Sequence, residues 1–136
     1  MVTGRAEPQP EVLDRLDRER IAWLCTVRPD GSPHVTPVWF LYRDGEWWIC
    51  TQERNRKFRN VVADPRVSLA LPDGVSPVVA EGDAAVVRAP FPRAVVDGFR
   101  REYDWDITVP PGGNVLLRVV VTRWLMAGSA PDDRPT

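Results

Sequence analysis

Six short segments of this chain have the composition of β-strands, and hardly any of them alternates polar with apolar residues. In Ile21–Val27, the side chains of Ile21, Trp23, Cys25 and Val27 fall on one face and those of Ala22, Leu24 and Thr26 on the other, with no charge on either. A strand of that kind is expected to be covered on both faces. Val115–Thr122 is β-branched or leucine at every position except Arg118. The other four segments are His34–Tyr42, Trp47–Thr51, Val67–Leu71 and Val78–Arg88, the last interrupted by Gly82, which marks a bulge or a close approach of another group. Such strands cannot form an open sheet with one wet face. A closed barrel satisfies them, with the spare apolar surface covered by a second subunit.

The connections agree with this reading. Asp30-Gly31 and Asp44-Gly45 are hairpin turn signals, so the first three strands are consecutive and antiparallel. Val12, Leu13 and Leu16 give Glu11–Arg20 the apolar face of a short helix, with Pro10 at its entrance, where a missing N–H costs nothing. Phe58, Val61 and Val62 predict a second helix that ends at Asp64-Pro65, and Phe91, Val95, Phe99 and Tyr103, four apart, predict a third. No repeat or linker divides the 136 residues. The expected organisation is a flexible N-terminus over 1–9, one domain over 10–127 and a flexible tail over 128–136. A chain of this length buries roughly two-thirds of its unfolded surface and needs no disulfide or metal staple.

Composition narrows the function. The net charge of −1 argues against a dedicated nucleic-acid or acidic-membrane binder. No apolar run reaches the ~18 residues of a membrane span, and no signal peptide is evident, so a cytoplasmic protein is expected. One histidine and two cysteines do not make a zinc set. Cys25 and Cys50 read as buried reduced thiols, although a disulfide between neighbouring strands is open to them. His34 reads as a structural or surface histidine, with a place lining a ligand slot as the alternative. No catalytic set of side chains stands out.

All but one of the 18 basic residues are arginine; the exception is Lys57, within Arg54-Asn55-Arg56-Lys57-Phe58-Arg59. These cations open a helix whose first turn already carries partial positive charge, an unfavourable arrangement unless something negative binds there. A phosphate resolves the conflict through backbone N–H groups, arginine forks and the lysine point charge. The rival reading is an exposed basic helix face that binds nothing. Thr36-Pro37-Val38-Trp39-Phe40 places a proline within an apolar strand, which frees backbone from ladder pairing beside Trp39. Together these features fit a ring-bearing phosphate ligand, although Trp39 also reads as a plain core residue.

The order of Pro33-His34-Val35-Thr36-Pro37-Val38-Trp39-Phe40, then Thr51, Arg56-Lys57, Asn60, Asp64-Pro65-Arg66-Val67 and Glu81-Gly82 resembles the pyridoxamine 5′-phosphate oxidase-like split-barrel proteins. In particular it resembles their actinobacterial branch that uses the deazaflavin coenzyme F420. The resemblance covers about residues 12 to 125. It implies a mainly β fold, a six-stranded antiparallel split β-barrel of the FMN-binding type with two or three peripheral helices. It also implies a homodimer with cofactor sites at the subunit interface. The phosphate motif falls on Thr51, Gln52, Asn55, Arg56 and Lys57, with Asn55 in place of the usual small hydroxyl residue. The strand facing the ring falls on Thr36, Pro37, Val38 and Trp39. The Trp and Arg that complete the vitamin B6 oxidase site have no clear counterpart, although Arg123-Trp124 lie in the last strand, so that reaction is not expected.

The implied function is F420-dependent hydride transfer to a small conjugated or unsaturated organic substrate, the cofactor supplying the chemistry and the protein an oriented slot. An FMN-dependent oxidoreductase on the same barrel is the alternative within the enzyme class. A non-catalytic dimeric carrier or sensor of F420 or FMN is the alternative outside it. Arg54 and Arg59 are available for the polyglutamate tail of F420, and Trp105 and Asp106 for a lid over a partner's site.

Overall fold

The computed structural model describes residues 2–3 and 8–127. The segments expected to be flexible, 1–9 and 128–136, lie outside the described residues except for residues 2, 3, 8 and 9. In chain order the elements are β1 (Val2–Thr3), α1 (Pro10–Arg18), β2 (Ile21–Val27), β3 (Pro33–Trp39), β4 (Leu41–Arg43), β5 (Glu46–Thr51), α2 (Arg56–Ala63), β6 (Arg66–Ala70), β7 (Val78–Val87), α3 (Arg93–Tyr103) and β8 (Val115–Ala127).

All described strand pairs are antiparallel, in the order β3-β2-β6-β7-β8-β5-β4, with β1 added beside β8. The first and last strands of that order are consecutive in the chain and separated only by Phe40. The sheet therefore curls until its two edges are two halves of one bent segment. This corrects the expected count of six strands: the segment expected as one strand, His34–Tyr42, is broken at Phe40, giving seven along the sheet and the short β1 besides.

The break has an identifiable cause. The Tyr103 hydroxyl accepts the Phe40 N–H at 3.1 Å and lies 2.6 Å from the Phe40 carbonyl and 3.0 Å from that of Arg20. A side chain at the end of α3 thus serves the backbone of the one residue that neither β2 nor β5 pairs. The turns are as expected: Asp44 and Gly45 both have positive φ (53° and 81°), the two-residue hairpin conformation that matches strand twist. At Gly82, within β7, a Cβ would collide with the Val120 carbonyl oxygen of β8, and the β7–β8 register shifts beside it. The close approach expected at this glycine is the backbone of the neighbouring strand.

β5 shows why the strands look apolar throughout. Trp47 and Ile49 enter the core within the curled sheet with Phe40, Leu24, Leu117 and Trp124, whereas Trp48 faces a second cluster with Leu41, Leu116 and the α3 residues Val95, Phe99 and Tyr103. Val12 and Leu16 of α1 join the first cluster, as do Phe58 and Val61 of α2. Full burial of a side chain such as Phe99 contributes about 1.5–3 kcal/mol. For β2, the expectation of cover on both faces holds only inside, where Ala22, Leu24 and Thr26 are buried. Trp23 is 44% exposed, and Val35 (55%) and Trp39 (44%) continue the open apolar face across β3. The third helix lies on β4, β5 and β8 and reaches this face only where Tyr103 stacks on Trp39, so Trp23 and Val35 stay open in the single chain.

Replacing Tyr103 by Phe keeps the packing but strands the Phe40 backbone groups. The expected loss is about 1–3 kcal/mol of unfolding free energy with an unchanged urea m-value, measured by equilibrium denaturation.

Candidate functional site

The hand-over from β5 to α2 is shaped by two hydrogen bonds of Asn55. Thr51 ends β5 and is buried. The Asn55 N–H donates to the Gln52 carbonyl at 3.0 Å, which closes the turn between them. The Asn55 side chain donates from Nδ2 to the Thr51 Oγ1 at 2.8 Å. With that lone pair occupied, the Thr51 hydroxyl has its own hydrogen free to donate to another acceptor. Asn55, the residue that replaces a small hydroxyl side chain, thus acts on Thr51 and does not cap its own helix.

The first turn of α2 has no acidic residue and no side-chain cap. Among the described residues, none of Arg54, Arg56, Lys57 and Arg59 takes part in an ion pair, since the seven pairs all use other arginines. Lys57 is half-buried, and burial pulls its ammonium below the usual lysine range. Asn60, fully buried, ties the helix to β2 by donating to the Thr26 hydroxyl at 2.9 Å. The Asp64 carboxylate is engaged by the Arg66 backbone and guanidinium, which hold it at about 2, so the Asp-Pro-Arg segment serves the helix end.

Lys57 opens onto a cavity of about 340 Å³, within the size range of small-molecule sites. Thr51, Asn55 and Lys57 form its polar end, and Pro37, Val38 and Trp39 one apolar wall. Of the sequence-selected residues, the structure brings these six together. Three lie elsewhere. The Thr36 hydroxyl is enclosed without a hydrogen-bond partner, Gln52 contributes its carbonyl to the turn, and Arg56 begins α2 outside the lining.

Ile21, Cys50 and Trp105 complete the cavity. Ile21 is the cross-strand partner of Trp39, which strand register alone reveals. Burial pushes the Cys50 thiol up to about 12, so at neutral pH it is a protonated wall group and not a nucleophile; both cysteines are free thiols. Trp105 packs edge-on against Trp39 (ring centroids 5.8 Å apart) and Phe99 (5.7 Å). It therefore lines the cavity of its own chain, whereas Asp106 is engaged by Thr108 and Arg100. One face of Trp39 is stacked on Tyr103 at 4.9 Å and 13°.

A larger cavity, about 450 Å³, lies between the start of α3 and residues 107–114. Its lining includes one cation, Arg93, and one carboxylate, Asp97, so no cluster of charge of one sign converges on it. Among the described residues no group of three or more His, Cys, Asp or Glu is placed to hold a metal ion, and no helix is long and apolar enough to cross a membrane.

A curled antiparallel sheet with a cationic helix start beside an aromatic wall is the setting in which the comparisons with known proteins are informative. The sequence model of pyridoxamine 5′-phosphate oxidase matches residues 8–126. The chain belongs to that family. The conserved hypothetical protein Rv2991 from Mycobacterium tuberculosis is similar at 31% identity, with a TM-score of 0.70 over 90% of this chain and 88% of that one. A solved structure named F420 reductase is 26% identical, with a TM-score of 0.68 over 82% of this chain and 93% of the other. The heme storage protein HutZ from Vibrio cholerae shares the fold at 16% identity, with a TM-score of 0.75 over 89% and 95%. A search of curated proteins finds no match.

His34 lies close enough to this charge to feel it. Its Nδ1 is enclosed without a partner; burial first, then the charges of Arg28, Lys57 and Arg56, lower its pKa below the ordinary 6.5. Below that pH the unfolded chain takes up a proton that the folded chain resists. The His34 contribution to stability therefore falls as pH drops through and below about 6.5. Urea denaturation between pH 7.5 and 5 is expected to show a shallower loss of stability for His34→Gln than for the wild type.

Proposed function

We propose that this chain is an F420-dependent oxidoreductase that passes a hydride between the deazaflavin and a small conjugated or unsaturated substrate, acting as a homodimer. The observation that carries the reading is the set of cations at the start of α2, none of them paired, beside a cavity with an aromatic wall. The residues present suit the cofactor. Lys57 and the Thr51 hydroxyl would hold the phosphate, with Arg56 adding charge, and the backbone of Pro37 to Trp39 with the side chains of Pro37 and Trp39 would take the ring. Arg54 and Arg59 exceed what one phosphate needs and would suit a further acidic tail. Similarity to a protein named F420 reductase supports the choice over FMN.

When bound, the coenzyme supplies the hydride chemistry. The chain's own part is to bind, orient and keep water away. Trp39, backed by Tyr103 and flanked by Trp105, presents a rigid wall. Cys50 and Ile21 line the rest with groups that do not titrate near neutral pH, consistent with a site in which no side chain acts as acid or base.

Titration with F420 and FMN, followed by quenching of tryptophan fluorescence, tests the assignment. Lys57→Ala is expected to weaken binding at least tenfold, about 1.4 kcal/mol. Tighter binding of FMN than of F420 moves the assignment to the flavin; binding without turnover across enones, quinones and tetrapyrroles favours a carrier; binding of neither removes both enzyme readings.

The homodimer is supported by the open face of Trp23, Val35 and Trp39. Trp23→Asp is expected to shift the sedimentation velocity from dimer to monomer. A wild-type monomer at micromolar concentration refutes the dimer.

A further inference from the structure

Glu53 is the only carboxylate between Thr51 and Ala63, and it stands in the turn that joins β5 to α2. A bare negative charge there opposes a site that gathers cations for an anion. Its side chain is not bare: Arg88, the residue after β7, donates from Nη1 to Glu53 Oε1. The same guanidinium lies 5.8 Å from the centroid of the Phe58 ring, and Phe58 is the buried neighbour of Lys57 in α2. Arg88 therefore bridges the turn and the helix from a strand that contributes nothing to the cavity lining. The pair is solvent-exposed, 59% on each side, and pairs of this kind add little to folding stability. Its effect is to be sought in binding.

We infer that Arg88 is a positioning residue for the phosphate end of the site. By holding Glu53 and lying against Phe58, it cancels the one negative charge of the turn and fixes the turn against α2, so that an incoming phosphate meets only Lys57, Arg56 and the Thr51 hydroxyl. This rests on the proposed reading of the cavity as the place of a phosphate-bearing cofactor. A released carboxylate on the order of 10 Å from the phosphate, in surroundings as polarisable as water, weakens binding about twofold for the singly charged diester of F420 and about fourfold for the doubly charged monoester of FMN, and salt screens the effect.

The test uses the full-length protein at low ionic strength. Whichever of F420 or FMN the wild type binds is compared with its phosphate-free counterpart, the ribityl deazaflavin or riboflavin. Arg88→Gln is expected to weaken the phosphate-bearing ligand about twofold if it is F420 and about fourfold if it is FMN, leave the phosphate-free one unchanged and keep the thermal midpoint near that of the wild type. Adding Glu53→Gln to it is expected to restore the affinity. Unchanged affinity for the phosphate-bearing ligand in Arg88→Gln, an equal loss for both ligands, or no recovery in the double variant overturns this inference while leaving the cofactor assignment intact. Failure of the wild type to bind either cofactor overturns the assignment and this inference with it.

Discussion

One phenolic hydroxyl holds the ends of this sheet together. Phe40 sits where a continuous segment leaves its partner on one side of the barrel and joins another on the opposite side, so its backbone has no strand to pair with. Unsatisfied polar groups in a buried position would oppose the bend, and the Tyr103 hydroxyl removes that cost by serving both of them. Burial raises the Tyr103 pKa, so the group remains a protonated donor. Helix α3 is what brings the hydroxyl there, and Val95, Phe99 and Ile107 seat it through apolar contacts. The same bend fixes Trp39, whose ring lies on that of Tyr103. Sheet closure and the aromatic wall are thus one piece of construction.

The polar end of the cavity follows a different logic. A helix start that carries four cations and no acid is not a stable choice by itself, because the exposed N–H groups add to the positive potential. Here the surrounding residues do not relieve it: carboxylates near the helix are engaged elsewhere, Asp64 with Arg66 and Glu53 with Arg88. Asn55 adds to the same end by occupying the Thr51 oxygen from behind. Charge left unmatched in this way is stored attraction for an anion. The near-zero net charge argues against an extended polyanion but not against a phosphate, since a phosphate needs only a local excess.

Much of this was legible in the residues. Short apolar, β-branched segments without polar alternation marked the strands, Asp30-Gly31 and Asp44-Gly45 marked the hairpins, and Gly82 marked a bulge or a close approach. At the site, Lys57 and Pro37 to Trp39 stand out from the local pattern, a cationic helix start and a proline within an apolar strand, whereas Thr51 and Asn55 are named only through the family resemblance. What could not be read depends on contacts between distant segments. The break at Phe40 is caused by a side chain 63 positions away. Trp105 enters the cavity only once α3 has docked, and Ile21 only once β2 and β3 are in register. The open outer face of β2 looked like a covered one because the pattern of side chains records that a face is apolar, not which molecule covers it.

The stack of Tyr103 beneath Trp39 also bears on how such a scaffold can diversify. A substitution at either position that suited a new ligand would disturb the hinge of the sheet as well as the wall of the cavity. Cys50 and Ile21 touch the same space, are only partly buried and hold no comparable junction. Variation in what the cavity accepts is therefore cheapest at those two positions, where a change of shape need not be repaired elsewhere, while the aromatic pair is bound to remain as long as the barrel does.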